Sequence, residues 1–90
     1  MSTESDAQEL AAFGQAVRKL REQRGMSVDD LSSASQLRRE RKMSSRRISR
    51  VEAGEVDPHY DEVIALADAL NLTPGTLVVY AEQLWTDDAR

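Results

Sequence analysis

Ninety residues allow one domain with one modest core, and aromatic residues make up only 4% of them while helix formers are common, which points to an all-α fold. The absence of cysteine excludes a disulfide frame and a thiolate metal site. No apolar run is long enough to cross a membrane and the acidic N-terminus is no signal peptide, so a cytoplasmic protein is expected. The formal net charge of −4 argues against nucleic acid if taken alone, but its distribution reverses that. Eleven of the twelve basic residues lie between Arg18 and Arg50, where only four acids stand; nine of the sixteen acids follow Arg50. A chain polarised in this way presents one basic face while the rest stays acidic.

In chain order, residues 1–4 are polar and expected to be a flexible N-terminus. Ser5 to Gln8 reads as a capping box opening a helix over residues 6–24, with Glu9 favoured near its start by the macrodipole. Leu10, Phe13, Val17 and Leu20 recur at helical spacing as its buried stripe, Arg18, Lys19, Arg21 and Arg24 crowd its last turns, and Gly25 ends it. Ser27 caps a second helix, with Met26 and Leu31 as a hydrophobic staple and Asp29 and Asp30 in the first turn. Leu31 and Ala34 are expected to face inward, and the helix to run to about residue 35 or 37 before a mobile basic connection.

Residues 44–54 carry the stretch that the rest of the chain serves. Ser44 is the N-cap and Gly54 the C′ residue, and Met43 and Ile48 form a staple. Ile48, Val51 and Glu52 fall on one side of this third helix, while Ser45, Arg46, Ser49 and Arg50 fall on the other. The second side is a row of hydrogen-bond donors and positive charge, which is what base edges and phosphates require. On a lone helix it would equally read as a solvated basic face.

After Gly54, Pro58 bars a helix and Asp57, Asp61 and Glu62 suit a turn and a helix start. A fourth helix is expected over residues 60–70 with Val63, Ile64, Ala67 and Leu70 inward and Asn71 in the left-handed C′ position. Thr73 caps a fifth helix, Pro74 takes its first position, and Leu72 with Leu77 makes another staple; it runs to about residue 85. The expected architecture is a compact five-helix bundle: one domain over residues 1–90, with residues 86–90 an acidic C-terminal tail. Leu77, Ala81 and Leu84 make one apolar stripe on the fifth helix; Val78 and Trp85 make a second. That second stripe is a candidate homodimer interface anchored by Trp85, or else the helix is wedged against the first with Trp85 on Leu10.

Two short helices, the second basic, followed by Glu-x-Gly and two packing helices, resemble the Cro and phage-repressor helix-turn-helix family, often called the Xre family. The carriers are Leu20-Arg-Glu-Gln-Arg-Gly-Met-Ser27, Leu31, Ile48-Ser-Arg-Val-Glu-Ala-Gly54 and Ile64-Ala-Leu-Ala-Asp-Ala-Leu-Asn-Leu72. The resemblance implies a lambda-repressor-like domain that regulates transcription by binding double-stranded DNA, with the third helix in the major groove. By position it implies base contacts from Ser45, Arg46, Ser49 and Arg50, and phosphate contacts from Arg47 and from Ser27 at the second helix N-terminus; Arg18 and Lys19 are expected to add phosphate affinity. It also implies a structural ion pair between Arg21 and Glu52.

The chain departs from that family in three places. Val28 stands where the family usually has a phosphate-binding Gln, Glu55 and Asp57 follow the third helix where basic or amide residues are common, and residues 36–41 form an insertion in the turn. The insertion and the residue after it carry Arg38, Arg39, Arg41 and Lys42, which are expected to replace the lost clamp on phosphates or in the minor groove.

No enzyme is expected. His59 is the only histidine and reads as a cap or surface group, so neither a metal nor any other cofactor is called for. Ser44, Ser45 and Ser49 have no histidine base nearby, and there is no Gly-rich phosphate loop. No small-molecule ligand is expected. The competing reading is a protein-interaction module that uses its fifth helix on a helix-turn-helix scaffold.

Overall fold

The computed structural model describes residues 3–37 and 41–88. They form α1 (Thr3–Gln23), α2 (Val28–Ala34), α3 (Ser45–Glu52), α4 (Tyr60–Ala69) and α5 (Pro74–Asp88). Local chemistry sets most of the boundaries. Ser27 Oγ accepts from the Asp30 N–H at 3.0 Å while Asp30 Oδ2 accepts from the Ser27 N–H at 2.9 Å, a reciprocal cap on α2. Thr73 Oγ1 accepts from the Thr76 N–H at 3.1 Å ahead of α5, and Asn71 turns the chain after α4 at φ +62°. α1 begins at Thr3, ahead of the expected start at residue 6.

One core collects Val17 and Leu20 of α1, Leu31 of α2, Ile48 and Val51 of α3, Leu66 of α4 and Leu77 of α5, with Met43 from the connection. Three expected inward faces are corrected. On α1, Leu10 and Phe13 are only half-buried, and Ala12, Gly14 and Ala16 are buried. The reason is that α1 lies between α3 and α5, and close helix approach selects small residues. On α4, Ile64 is 40% exposed while Ala65 and Leu66 face the core, a rotation that also buries Glu62. On α2, Ala34 is exposed and Ser35 fully buried, because the helix ends at Ala34 and Ser35 turns inward in an extended conformation.

Ser35 also explains how the turn tolerates the inserted residues. Its Oγ accepts from the Met43 N–H at 3.0 Å and donates to the Ser32 carbonyl at 2.8 Å, while Ser32 Oγ donates to the Met43 carbonyl. Between these anchors the Leu37 N–H donates to the Arg41 carbonyl at 2.7 Å. The connection therefore leaves and re-enters the fold at one point, and α2 and α3 pack as if the turn were short. Arg38 and Arg39 lie outside the described residues. Among the described residues, no single helix is long and apolar enough to cross a membrane.

Candidate nucleic-acid interface

α3 is built from its own sequence outward. Ser44 Oγ accepts from the Arg47 N–H at 3.1 Å, Ile48 and Val51 are buried, and the chain leaves through Gly54 at φ +73°. A side chain at Gly54 would be strained by that backbone, and its Cβ would stand 3.1 Å from the Ala11 Cα. Gly14 is tighter still: a Cβ there would meet the Glu52 carbonyl oxygen at 2.6 Å, with the Val51 carbonyl oxygen nearer. The end of α3 thus rests on the backbone of α1.

Three polar fastenings hold the flanks of α3, each to a different helix. Arg21 of α1 donates from Nε to Glu52 Oε2 at 2.7 Å and from Nη2 to Oε1 at 3.0 Å, and its Nη1 reaches the Met26 carbonyl at 2.8 Å. Both side chains of this pair are about nine-tenths buried. Arg47 donates from Nε to Glu62 Oε2 of α4 at 2.9 Å and from Nη2 to Oε1 at 2.8 Å, and also to the Asp57 carbonyl at 3.2 Å. Ser45 Oγ donates to Asp29 Oδ1 of α2. The two forked Arg–carboxylate bridges fix rotation as well as position, because both partners are planar.

The electrostatics agree with this geometry. Burial pushes the Glu62 carboxyl up, but the Arg47 guanidinium and the His59 N–H, which donates to Oε1 at 2.7 Å, outweigh it and hold the group below the usual carboxylate range. Hydrogen bonding to Glu52 raises Arg21 and hydrogen bonding to Glu62 raises Arg47, against the opposing effect of burial in each case.

These fastenings sort the expected site residues. Arg46, Ser49 and Arg50 are exposed together on one face of α3. Ser45 is half-buried on the edge of that face, and its Oγ donates to Asp29. The charge of Arg47, the residue expected on a phosphate, is matched by Glu62, and its side chain is 27% exposed. Ser27 uses both its backbone N–H and its Oγ on Asp30, and the seven-residue α2 carries Asp29 and Asp30 in its first turn. Arg18, Lys19, Arg41 and Lys42 are exposed; Arg18 pairs loosely with Glu22 at 3.5 Å, and Lys42 Nζ donates to the Ser33 carbonyl. Val78 is 40% exposed, whereas Trp85 is half-buried beside Ala12 and Phe13 of α1. The sequence reading missed the Arg47–Glu62 and Ser45–Asp29 links. Glu62 was readable as a helix-start residue, but nothing local joins it to an arginine fifteen residues earlier.

The model of the helix-turn-helix domain family matches residues 12–78, from the buried side of α1 to α5. No curated protein matches the chain. The crystal structure of the clp gene regulator ClgR from Corynebacterium glutamicum is similar to it with a TM-score of 0.78 and 22% identity, over 90% of this chain and 80% of that chain. At that identity the likeness speaks for the five-helix fold alone. With a match over most of its length and the helices in place, this chain belongs to the helix-turn-helix domain family.

Proposed function

We propose that the protein is a sequence-specific DNA-binding transcriptional regulator that lays α3 in the major groove. The observation that carries the reading is that Arg46, Ser49 and Arg50 share the free face of a helix whose flanks are fastened to α1, α2 and α4. A rigid helix presenting two guanidinium forks that have no ion-pair partner among the described residues suits bidentate recognition of guanine O6 and N7. Ser49 between them can donate or accept at either kind of base pair. Arg18, Lys19, Arg41 and Lys42 supply the sequence-independent attraction to phosphates. Regulation follows from occupancy: a domain seated in the groove excludes other proteins from the same stretch of DNA, which is a repressor's mode. That a protein of the same fold is named a gene regulator adds support.

Selection from a random duplex pool, followed by binding of the enriched duplex at two salt concentrations, tests this. The reading expects one enriched motif whose affinity falls steeply with salt. An inverted repeat with centres about one helical turn apart reports a homodimer, and a single half-site reports a monomer. Absence of enrichment, with only weak and fully salt-sensitive binding, overturns the reading.

A further inference from the structure

The face of α1 turned away from α3 lines a cleft that no DNA-reading role uses. Phe13 and Trp85 form aromatic walls, Val78 and Ala81 line the α5 side, and Glu9 and Glu82 add one carboxylate from each helix. Its volume of about 420 Å³ falls within the range of small-molecule sites. No basic side chain lines it, and neither carboxylate has an ion-pair partner among the described residues. Among the described residues the buried Trp85 indole N–H has no acceptor.

We propose that this cleft binds an organic cation with an apolar body. An aryl or alkyl ammonium satisfies both halves of the lining: the body is sheltered by the aromatic and aliphatic walls, and the charge is drawn by the two carboxylates. A second copy of the chain is a poorer occupant. Across a two-fold axis centred on the cleft, Glu9 and Glu82 would face their own counterparts with no basic residue of the cleft to offset them. The site also has a route to α3. Ala11, Gly14 and Arg21 grip α3 from α1, while Glu9, Ala12 and Phe13 of the same helix line the cleft, so an occupant pressing on α1 acts one helix away from the reading face. That last step rests on the DNA-reading role proposed above; binding in the cleft does not.

Trp85 is the only tryptophan and therefore a built-in probe. The full chain is titrated with 4-phenylbutylamine, 4-phenylbutanol and 4-phenylbutyrate, three probes with one body and a positive, neutral or negative head. The expected result is a saturable change in Trp85 emission with the amine, a weaker one with the alcohol and none with the acid. Glu9→Gln with Glu82→Gln, both exposed positions, should weaken the amine about fivefold and leave the alcohol unchanged. Val78→Phe should fill the cleft and abolish the response, with the melting temperature showing that the fold is kept. Equal response to the acid, no saturable response to the amine, or a Trp85 emission that depends on protein concentration because a second copy already covers the cleft, overturns the proposal. Since the readout contains no DNA, failure of the DNA-reading role leaves it standing.

Discussion

Arg47 of α3 and Glu62 of α4 are joined by two parallel hydrogen bonds of 2.9 and 2.8 Å, and the buried carboxylate takes a third bond from the His59 N–H at 2.7 Å. This relationship commits Arg47 to the orientation of α3. Because the arginine keeps some exposure, removing either partner should cost about 2–3 kcal/mol, below the full penalty for breaking a buried pair. The folded state holds the Glu62 carboxyl below its ordinary value. The stability it contributes is therefore present above the unfolded pKa, about 4.3, and is lost as pH falls through the lower folded value. Urea midpoints measured from pH 7 to pH 3 should fall less steeply for Glu62→Gln than for the parent protein.

The Arg21–Glu52 bridge is more deeply enclosed, and a single truncation leaves the other charge with little access to water. Arg21→Ala or Glu52→Gln should destabilise by about 3–5 kcal/mol in chemical denaturation. Replacing both, as in Arg21→Met with Glu52→Leu, should recover much of that loss, because two well-packed apolar groups avoid the desolvation that the ion pair itself must offset. A double-mutant cycle reads the difference directly.

Gly14 tests the backbone contact between α1 and α3. Alanine in mid-helix gains about 1 kcal/mol in propensity over glycine. Here the new methyl would press on the Val51 and Glu52 carbonyls, which are backbone and cannot step aside. The clash should win, giving a net loss of about 1–3 kcal/mol by thermal melting.

Ser35→Ala should remove the bond that returns the connection to the fold. It leaves the buried Met43 N–H without its acceptor, a loss of about 1–3 kcal/mol. Hydrogen exchange at Met43 should accelerate more than exchange within α4 or α5 if the anchor acts locally, as the geometry requires.

The parts of this structure that were legible in the sequence rest on short-range chemistry. Ser27, Ser44 and Thr73 cap helices because a side-chain oxygen two or three residues ahead of a free N–H needs no tertiary help. Asn71 and Gly54 end helices by adopting a left-handed backbone. The reading failed where distant residues decide. Leu10, Phe13 and Ile64 look like core residues by periodicity, yet the crossing of α1 with its neighbours gives the interior to Ala12, Gly14, Ala16 and Leu66. The exposed face of α3 was recognisable as Arg46, Ser49 and Arg50. The links that tie Ser45 and Arg47 to other helices were not, because Asp29 and Glu62 reach them only after folding.

In the proposed role Arg46 and Arg50 read bases from a helix that other residues hold still. The most direct measurement is the affinity of the parent protein, Arg46→Ala and Arg50→Ala for the selected duplex and for single-base variants of it, at two salt concentrations. The expected result is a loss of about 1–3 kcal/mol for each variant, with preference relaxed at one base position and the folding midpoint unchanged. Equal weakening on every sequence, or unchanged binding, would contradict it and assign α3 a role other than base reading.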